Sequence, residues 1–172
     1  MFFPTVREQV LPLFRPNESV VRAVDIVLEE ARKHCEILVG VHIRRGDYRE
    51  WKDGQYFYSN DVYASYMRQM EQLFTDKKVA FYIASNESVS ADGAFDAFQI
   101  YHGAGGSAED LYALQQCDYI IGPPSIFPKW ASIMGKSRYT SFLIGMNNLL
   151  QLMISLLLYP IQSLKMVELY GR

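Results

Sequence analysis

From residue 18 to 34 the apolar positions Val20, Val24, Val27 and Ala31, widened by Val21 and Leu28, recur at helical spacing and predict a helix with one buried face. Asn17 stands where an N-cap belongs. Residues 37–43, ILVGVHI, break that rhythm with a nearly continuous apolar run, the pattern of a parallel strand covered on both sides. A polar stretch through Asp53-Gly54 follows. A second helical pattern then starts, with Asn60 or Asp61 as its cap and Tyr63, Tyr66, Met67, Met70, Leu73 and Phe74 on its inner face. Residues 79–84 predict the next strand, and after them come a weakly patterned helix near 88–98 and a short strand near 98–101. The loop HGAGGSAED leads into a helix of about 108–116. A strand at Tyr119–Ile121, a turn Gly122-Pro123-Pro124-Ser125 and a helix ending near Gly135 complete the series. Strand alternating with helix predicts an α/β domain, a Rossmann-like parallel sheet flanked by helices and joined by right-handed crossovers.

These patterns divide the chain into a helical lead-in over 1–36, a Rossmann-like domain over 37–141 and an apolar helical tail over 142–172. The tail begins FLIGMNNLLQLMISLLLYPI, and Asn147, Asn148, Gln151 and Ser155 interrupt it. A membrane-spanning helix needs ~20 consecutive, mostly apolar residues, so the expectation is a buried or dimer-forming helix, with a membrane-surface segment as the alternative. Arg7 and Glu8 arrive before any apolar core of useful length, which argues against a secretory signal. The expected location is therefore cytoplasmic, with peripheral association at the inner membrane if the tail meets lipid.

With 49% hydrophobic and 21% charged residues, the 172-residue chain has the material for one sizeable core. Its formal net charge of −2 gives no support for bulk nucleic-acid binding, so any polyanion chemistry must rest on a few focused arginines. Cys35 and Cys117 lie too far apart in sequence for a zinc spacing and are too few for a disulfide framework; among apolar neighbours they read as buried free thiols.

The polar clusters all fall at the carboxyl ends of predicted strands, where open α/β sheets bind ligands. The first is His42, Arg44, Arg45, Gly46 and Asp47. Arginine offers phosphate a planar fork of donors at any working pH, and two adjacent arginines on a turn point different ways, one to hold a ligand and one to brace the loop. Gly46 lets the backbone turn. Asp47 can orient Arg44, accept from a sugar hydroxyl or serve as a weak base, and His42 can donate to a phosphate oxygen. The bland alternative is a surface salt-bridge cluster. The embedded Arg-Gly-Asp tripeptide is set aside as a chance match in a chain without a secretion signal. The other clusters are Ser85-Asn86-Glu87 and Ser125-Ile126-Phe127-Pro128. Ser125 is a good N-cap, and the open amides of the turn it caps suit an anion; an ordinary helix cap explains the same residues. Asp110 at a helix start is expected on dipole grounds alone and is also a good acceptor for the paired N–H donors of a guanine ring.

Taken together the stretches resemble a known family. VGVHIRRGDY is similar to the first motif of the inverting fucosyltransferases, above all the bacterial α-1,2-fucosyltransferases (glycosyltransferase family 11-like), whose pattern is His-x-Arg-Arg-Gly-Asp-Tyr. YFYSNDVYASYM resembles the segment that follows it there. FYIASNES resembles a strand ending in Ser-Asp-Asp, and EDLYALQQCDYIIGPPSIFPKWASIMGKS resembles a block with a leading Asp, a Cys, and Ser-x-Phe followed by Trp. The likeness runs from about residue 37 to 138, with the blocks in the family's order.

The resemblance implies the nucleotide-sugar half of a GT-B glycosyltransferase that uses GDP-fucose as donor, with no metal and no other cofactor. It implies catalytic roles for Arg44, at the diphosphate, and Asp47, near the reacting sugar. It also implies that GDP-fucose is bound by His42, Arg44 and Arg45, by Asp110 at guanine, and by Ser125, Ile126 and Phe127 at the diphosphate. Departures are Asn86 where the family usually has an acid, Pro123-Pro124 in place of more polar residues, a lead-in too short for the family's acceptor-side domain, and a tail without counterpart after Ser141. The expected function is transfer of fucose to a sugar hydroxyl with inversion, in glycan or surface-polysaccharide assembly, with Asp47, Glu50 and Asp53 as candidates for the base. The alternative is a truncated GDP-sugar-binding or oligomerising module without catalysis. A phosphate-ester hydrolase would want an acid cluster for metal or a nucleophile, and the sequence offers neither.

Overall fold

The computed structural model describes residues 11–89, 93–103, 105–135 and 137–142. The apolar tail from 143 to 172 lies outside the described residues. Five strands form one parallel sheet: β1 (Ile37–Ile43), β2 (Val79–Ser85), β3 (Ile100–His102), β4 (Tyr119–Gly122) and β5 (Arg138–Ser141), in the order β3-β2-β1-β4-β5. Among the described residues the α-helices are α1 (Glu18–His34), α2 (Asn60–Leu73), α3 (Ser107–Gln116) and α4 (Ile126–Met134). This is the α/β, Rossmann-like class expected from the alternation of patterns, and the order places a topological switch between β1 and β4.

The continuous apolar run of β1 is explained by burial of all seven of its residues. Val39, Val41 and Ile43 face a core with Tyr63, Met67 and Met70 of α2, while Leu38 on the other side packs with Val24, Leu28 and Ala31 of α1 and Leu114 of α3. His42 shares the parity of Leu38 and Gly40, so its side chain lies on the face that carries α3 and α4. Helix α1 begins as its cap predicts, Asn17 Oδ1 accepting from the Ser19 N–H at 3.0 Å.

Two expectations need correction, and one strand comes in addition. The cap of α2 is Ser59, not Asn60 or Asp61, and Asn60 instead receives the guanidinium of Arg45. The described part of 88–98 holds turns rather than a helix, with Phe95 and Phe98 anchoring it in the core. Strand β5, which periodicity did not single out, completes the sheet beside β4 because Tyr139 and Thr140 are buried there.

Candidate functional site

At the carboxyl ends of β1 and β2 a cleft of about 130 Å³ opens, lined by His42, Arg44, Ala84, Ser85, Asn86, Gly105, Ser107, Asp110 and Phe127. Residues 42, 44, 110 and 127 come from three separate stretches of sequence, and the switch point brings them to one place. Helices α3 and α4 both present their first turn here, through Ser107 and Phe127, so two positive dipole ends add to the charge of Arg44.

His42 closes the inner wall. It is 4% exposed, stacks on Phe127 with ring centroids 5.3 Å apart, and neither ring nitrogen has a hydrogen-bond partner among the described residues. Burial, with the nearby positive charge of Arg44 second, pushes its pKa down to about 3, so the imidazole is neutral at physiological pH. A neutral ring keeps one N–H to give and one lone pair to receive. Gly122 allows this placement: a Cβ there would stand 2.5 Å from the His42 carbonyl oxygen.

Arg44 reaches the cleft and is held from behind, its Nη2 lying 2.9 Å and 3.1 Å from the two Asp47 oxygens. Asp47 thus orients the guanidinium. Arg45 points elsewhere, into Asn60 and over the ring of Phe57, and its backbone is gripped by Asn86. Asn86 Oδ1 accepts from the Arg45 N–H at 2.8 Å while its Nδ2 donates to the Arg45 carbonyl at 3.3 Å. The turn between them passes through Gly46 at φ 61, where a side chain is strained.

Asp110 lies under the cleft at 7% exposure and accepts from the Tyr82 hydroxyl at 3.1 Å. Burial raises its pKa to about 6, against the opposing pull of the Tyr82 bond and a Ser85 backbone donor. Ser125 caps α4, its Oγ accepting from the Phe127 N–H at 3.3 Å, and Ile126 is 76% exposed; neither side chain lines the cleft. The two prolines of the turn contribute their carbonyls: Tyr48 donates to Pro124 O at 2.6 Å and Tyr139 to Pro123 O at 2.7 Å. These bonds tie the arginine loop and β5 to the start of α4.

The fold is similar to that of POFUT1. Against POFUT1 in complex with GDP the TM-score is 0.50 at 10% sequence identity, covering 70% of this chain and 46% of that one. The POFUT1 apo form and a second GDP complex give 0.48, at 10% and 12% identity, with 70% and 73% of this chain and 46% and 48% of theirs covered. The chain therefore spans about half the length of the solved chains it matches. No protein-family model matches it, and no curated protein matches it in sequence.

Sequence reasoning missed several wall residues. Ser85 and Asn86 were visible only as a polar strand end, and Gly105 and Ser107 only as a glycine-rich loop. Tyr82 gave no signal, because a tyrosine within an apolar strand reads as core until Asp110 appears beside its hydroxyl. Among the described residues no group of three or more His, Cys, Asp or Glu is placed to hold a metal, and no helix is long and apolar enough to cross a membrane.

Proposed function

We propose that this chain is the nucleotide-sugar-binding half of a glycosyltransferase that takes fucose from GDP-fucose and passes it to a sugar hydroxyl with inversion, of the α-1,2-fucosyltransferase type. The observation that carries this reading is the cleft itself. A braced guanidinium, two helix starts and a buried neutral histidine with unused nitrogens converge at a switch point, beside a buried carboxylate. A likeness in fold to POFUT1 in complex with GDP supports the choice of nucleotide.

In the proposed reaction the acceptor oxygen bonds to the anomeric carbon as the bond from that carbon to the diphosphate breaks. GDP leaves with the electron pair, and the acceptor proton passes to a base, for which Asp47, Glu50 and Asp53 are the candidates. Charge grows on the diphosphate oxygens, and Arg44 with the start of α4 (Ser125, Ile126, Phe127) stabilises it, the Phe127 N–H turning from Ser125 Oγ to the ligand. Asp110 accepts the guanine N–H donors, His42 contacts the nucleotide, and Arg45 acts at a distance by fixing the turn that aims Arg44. No metal or other cofactor is required in this scheme, because fixed donors meet the developing charge. The alternative reading, a GDP-sugar-binding module without catalysis, shares the same cleft and differs only in turnover.

A thermal-shift series of GDP, GDP-fucose, GDP-mannose and UDP-sugars, with and without chelator, tests the proposal. Guanine nucleotides should raise the melting temperature with increasing ligand excess, chelator should not reduce the effect, and UDP-sugars should give none. Arg44→Ala should remove the shift, and Arg45→Ala should weaken it less. An equal response to uridine nucleotides, or equal mild losses in the two variants, would refute the assignment. Product from GDP-fucose and lactose would exclude the purely binding reading.

A further inference from the structure

The loop that follows the arginines builds an aromatic surface outside the residues that line the cleft. Trp51, 41% exposed, lies between Tyr48 and Tyr56 at ring-centroid distances of 4.8 Å and 5.2 Å, tilted by only 33° and 34°. The Lys52 ammonium sits 5.1 Å from the Trp51 centroid and 5.9 Å from that of Tyr56. Folding Lys52 back over the rings requires an unusual turn: Lys52 and Asp53 both have positive φ, 50° and 58°, and Gly54 follows at 72°. A Cβ at Gly54 would meet the Arg49 carbonyl at 2.9 Å, so a side chain there would push against the loop's own backbone. Left-handed non-glycine residues cost about 1–3 kcal/mol each and persist where the surroundings demand them. Here they support a partly solvent-facing aromatic shelf.

The shelf is continuous with the cleft. The Arg44 guanidinium lies 5.7 Å from the Tyr48 ring, and Tyr48 touches Trp51. Asp47, 59% exposed in its side chain, stands at this junction with oxygens to offer. A run of aromatic faces capped by a cation and flanked by a carboxylate suits one chemical class well. A pyranose ring presents electropositive C–H bonds to an aromatic face and hydroxyls around its rim, and the Lys52 ammonium occupies the place of that electropositive face. We infer that the Trp51–Tyr56 shelf binds a sugar ring of the acceptor glycan, which displaces the Lys52 ammonium from the ring faces so that Lys52 and Asp47 become partners for its hydroxyls. This rests on the glycosyltransferase reading, and it locates the acceptor at the outer lip of the nucleotide cleft.

Titration of the full chain with lactose, followed by tryptophan fluorescence in a Trp130→Phe background, reads the shelf directly, because Trp51 is then the one indole left. Lactose should give a saturable change, and the open-chain hexitol mannitol, which has no ring face, should give none. Trp51→Ala and Tyr56→Ala, followed by lactose-detected saturation-transfer NMR, should each weaken lactose at least tenfold while leaving the melting temperature and the GDP-induced thermal shift in place. Trp51→Phe, which keeps an aromatic face, should restore most of the binding. Lactose binding that survives loss of Trp51, an equal response to mannitol, or no saturable change with lactose would overturn the inference. The GDP arm separates the two ideas: a GDP shift without lactose binding sinks the shelf alone, and lactose binding at Trp51 without a GDP shift sinks the nucleotide reading alone.

Discussion

Replacing His42 by leucine should stabilise the protein most in mild acid, where the buried imidazole opposes folding most. The imidazole is buried, with both nitrogens unpartnered among the described residues, and its pKa falls from 6.5 to about 3. At pH 7 leucine removes two buried polar atoms, each of which costs about 1–3 kcal/mol when unsatisfied, and loses an aromatic stack worth about 0.5–1.5 kcal/mol. The variant should therefore be at least as stable as the wild type. The sign of the pH effect follows from proton counting. Between pH 6.5 and 3 the unfolded histidine binds a proton that the folded one refuses, so wild-type stability falls as pH drops through that window. From 6.5 down to pH 5, at about 1.4 kcal/mol per pH unit, this amounts to about 2 kcal/mol. Asp110 acts in the opposite sense, since its raised pKa contributes stability that is full below 3.8 and lost as pH rises through about 6. Comparing variant with wild type cancels that contribution. Urea unfolding of both proteins at pH 7 and pH 5 should show the variant's advantage growing by about 2 kcal/mol. A gap that stays constant between the two pH values refutes the buried, neutral imidazole. The same variant should lose affinity for GDP, as a group kept for a ligand would require.

Asp110 should make nucleotide binding sensitive to acid. GDP-fucose, whose diphosphate has no proton to lose near pH 6, should bind about tenfold more weakly per pH unit below the Asp110 pKa of about 6, and Asp110→Asn should abolish that slope in calorimetry. Asn86→Asp keeps the acceptor for the Arg45 N–H but loses the donor to the Arg45 carbonyl and sets a second carboxylate beside Arg44. It should cost about 1–2 kcal/mol in urea unfolding and weaken GDP several-fold, whereas unchanged affinity would show that the turn holds Arg44 without it. Gly122→Ala should lower the melting temperature and the GDP-induced shift together, because its Cβ collides with the His42 backbone.

Much of the sheet could be read along the chain, because burial on both faces leaves a continuous apolar run and a helix with one buried face leaves a periodic one. ILVGVHI is β1 to the residue, and α1 starts at the cap Asn17 predicts. Strand β5 left no such mark: RYTS is short and polar, and Tyr139 and Thr140 become interior only when β4 lies beside them. The motif at the end of β1 also singled out His42 and Arg44, and both line the cleft.

The motif resemblance pointed to Arg44 as the ligand-side arginine, but what turns the two side chains apart lies in the fold. Asp47 holds one while Asn60, fifteen positions away, takes the other. His42 is polar by composition, yet its neutrality and its unused nitrogens come from Phe127, Gly122 and the walls of a cleft assembled from distant segments. Local sequence determines how each segment buries its own apolar face. Desolvation and the pairing of charges depend on neighbours far along the chain, and so only the folded arrangement decided them.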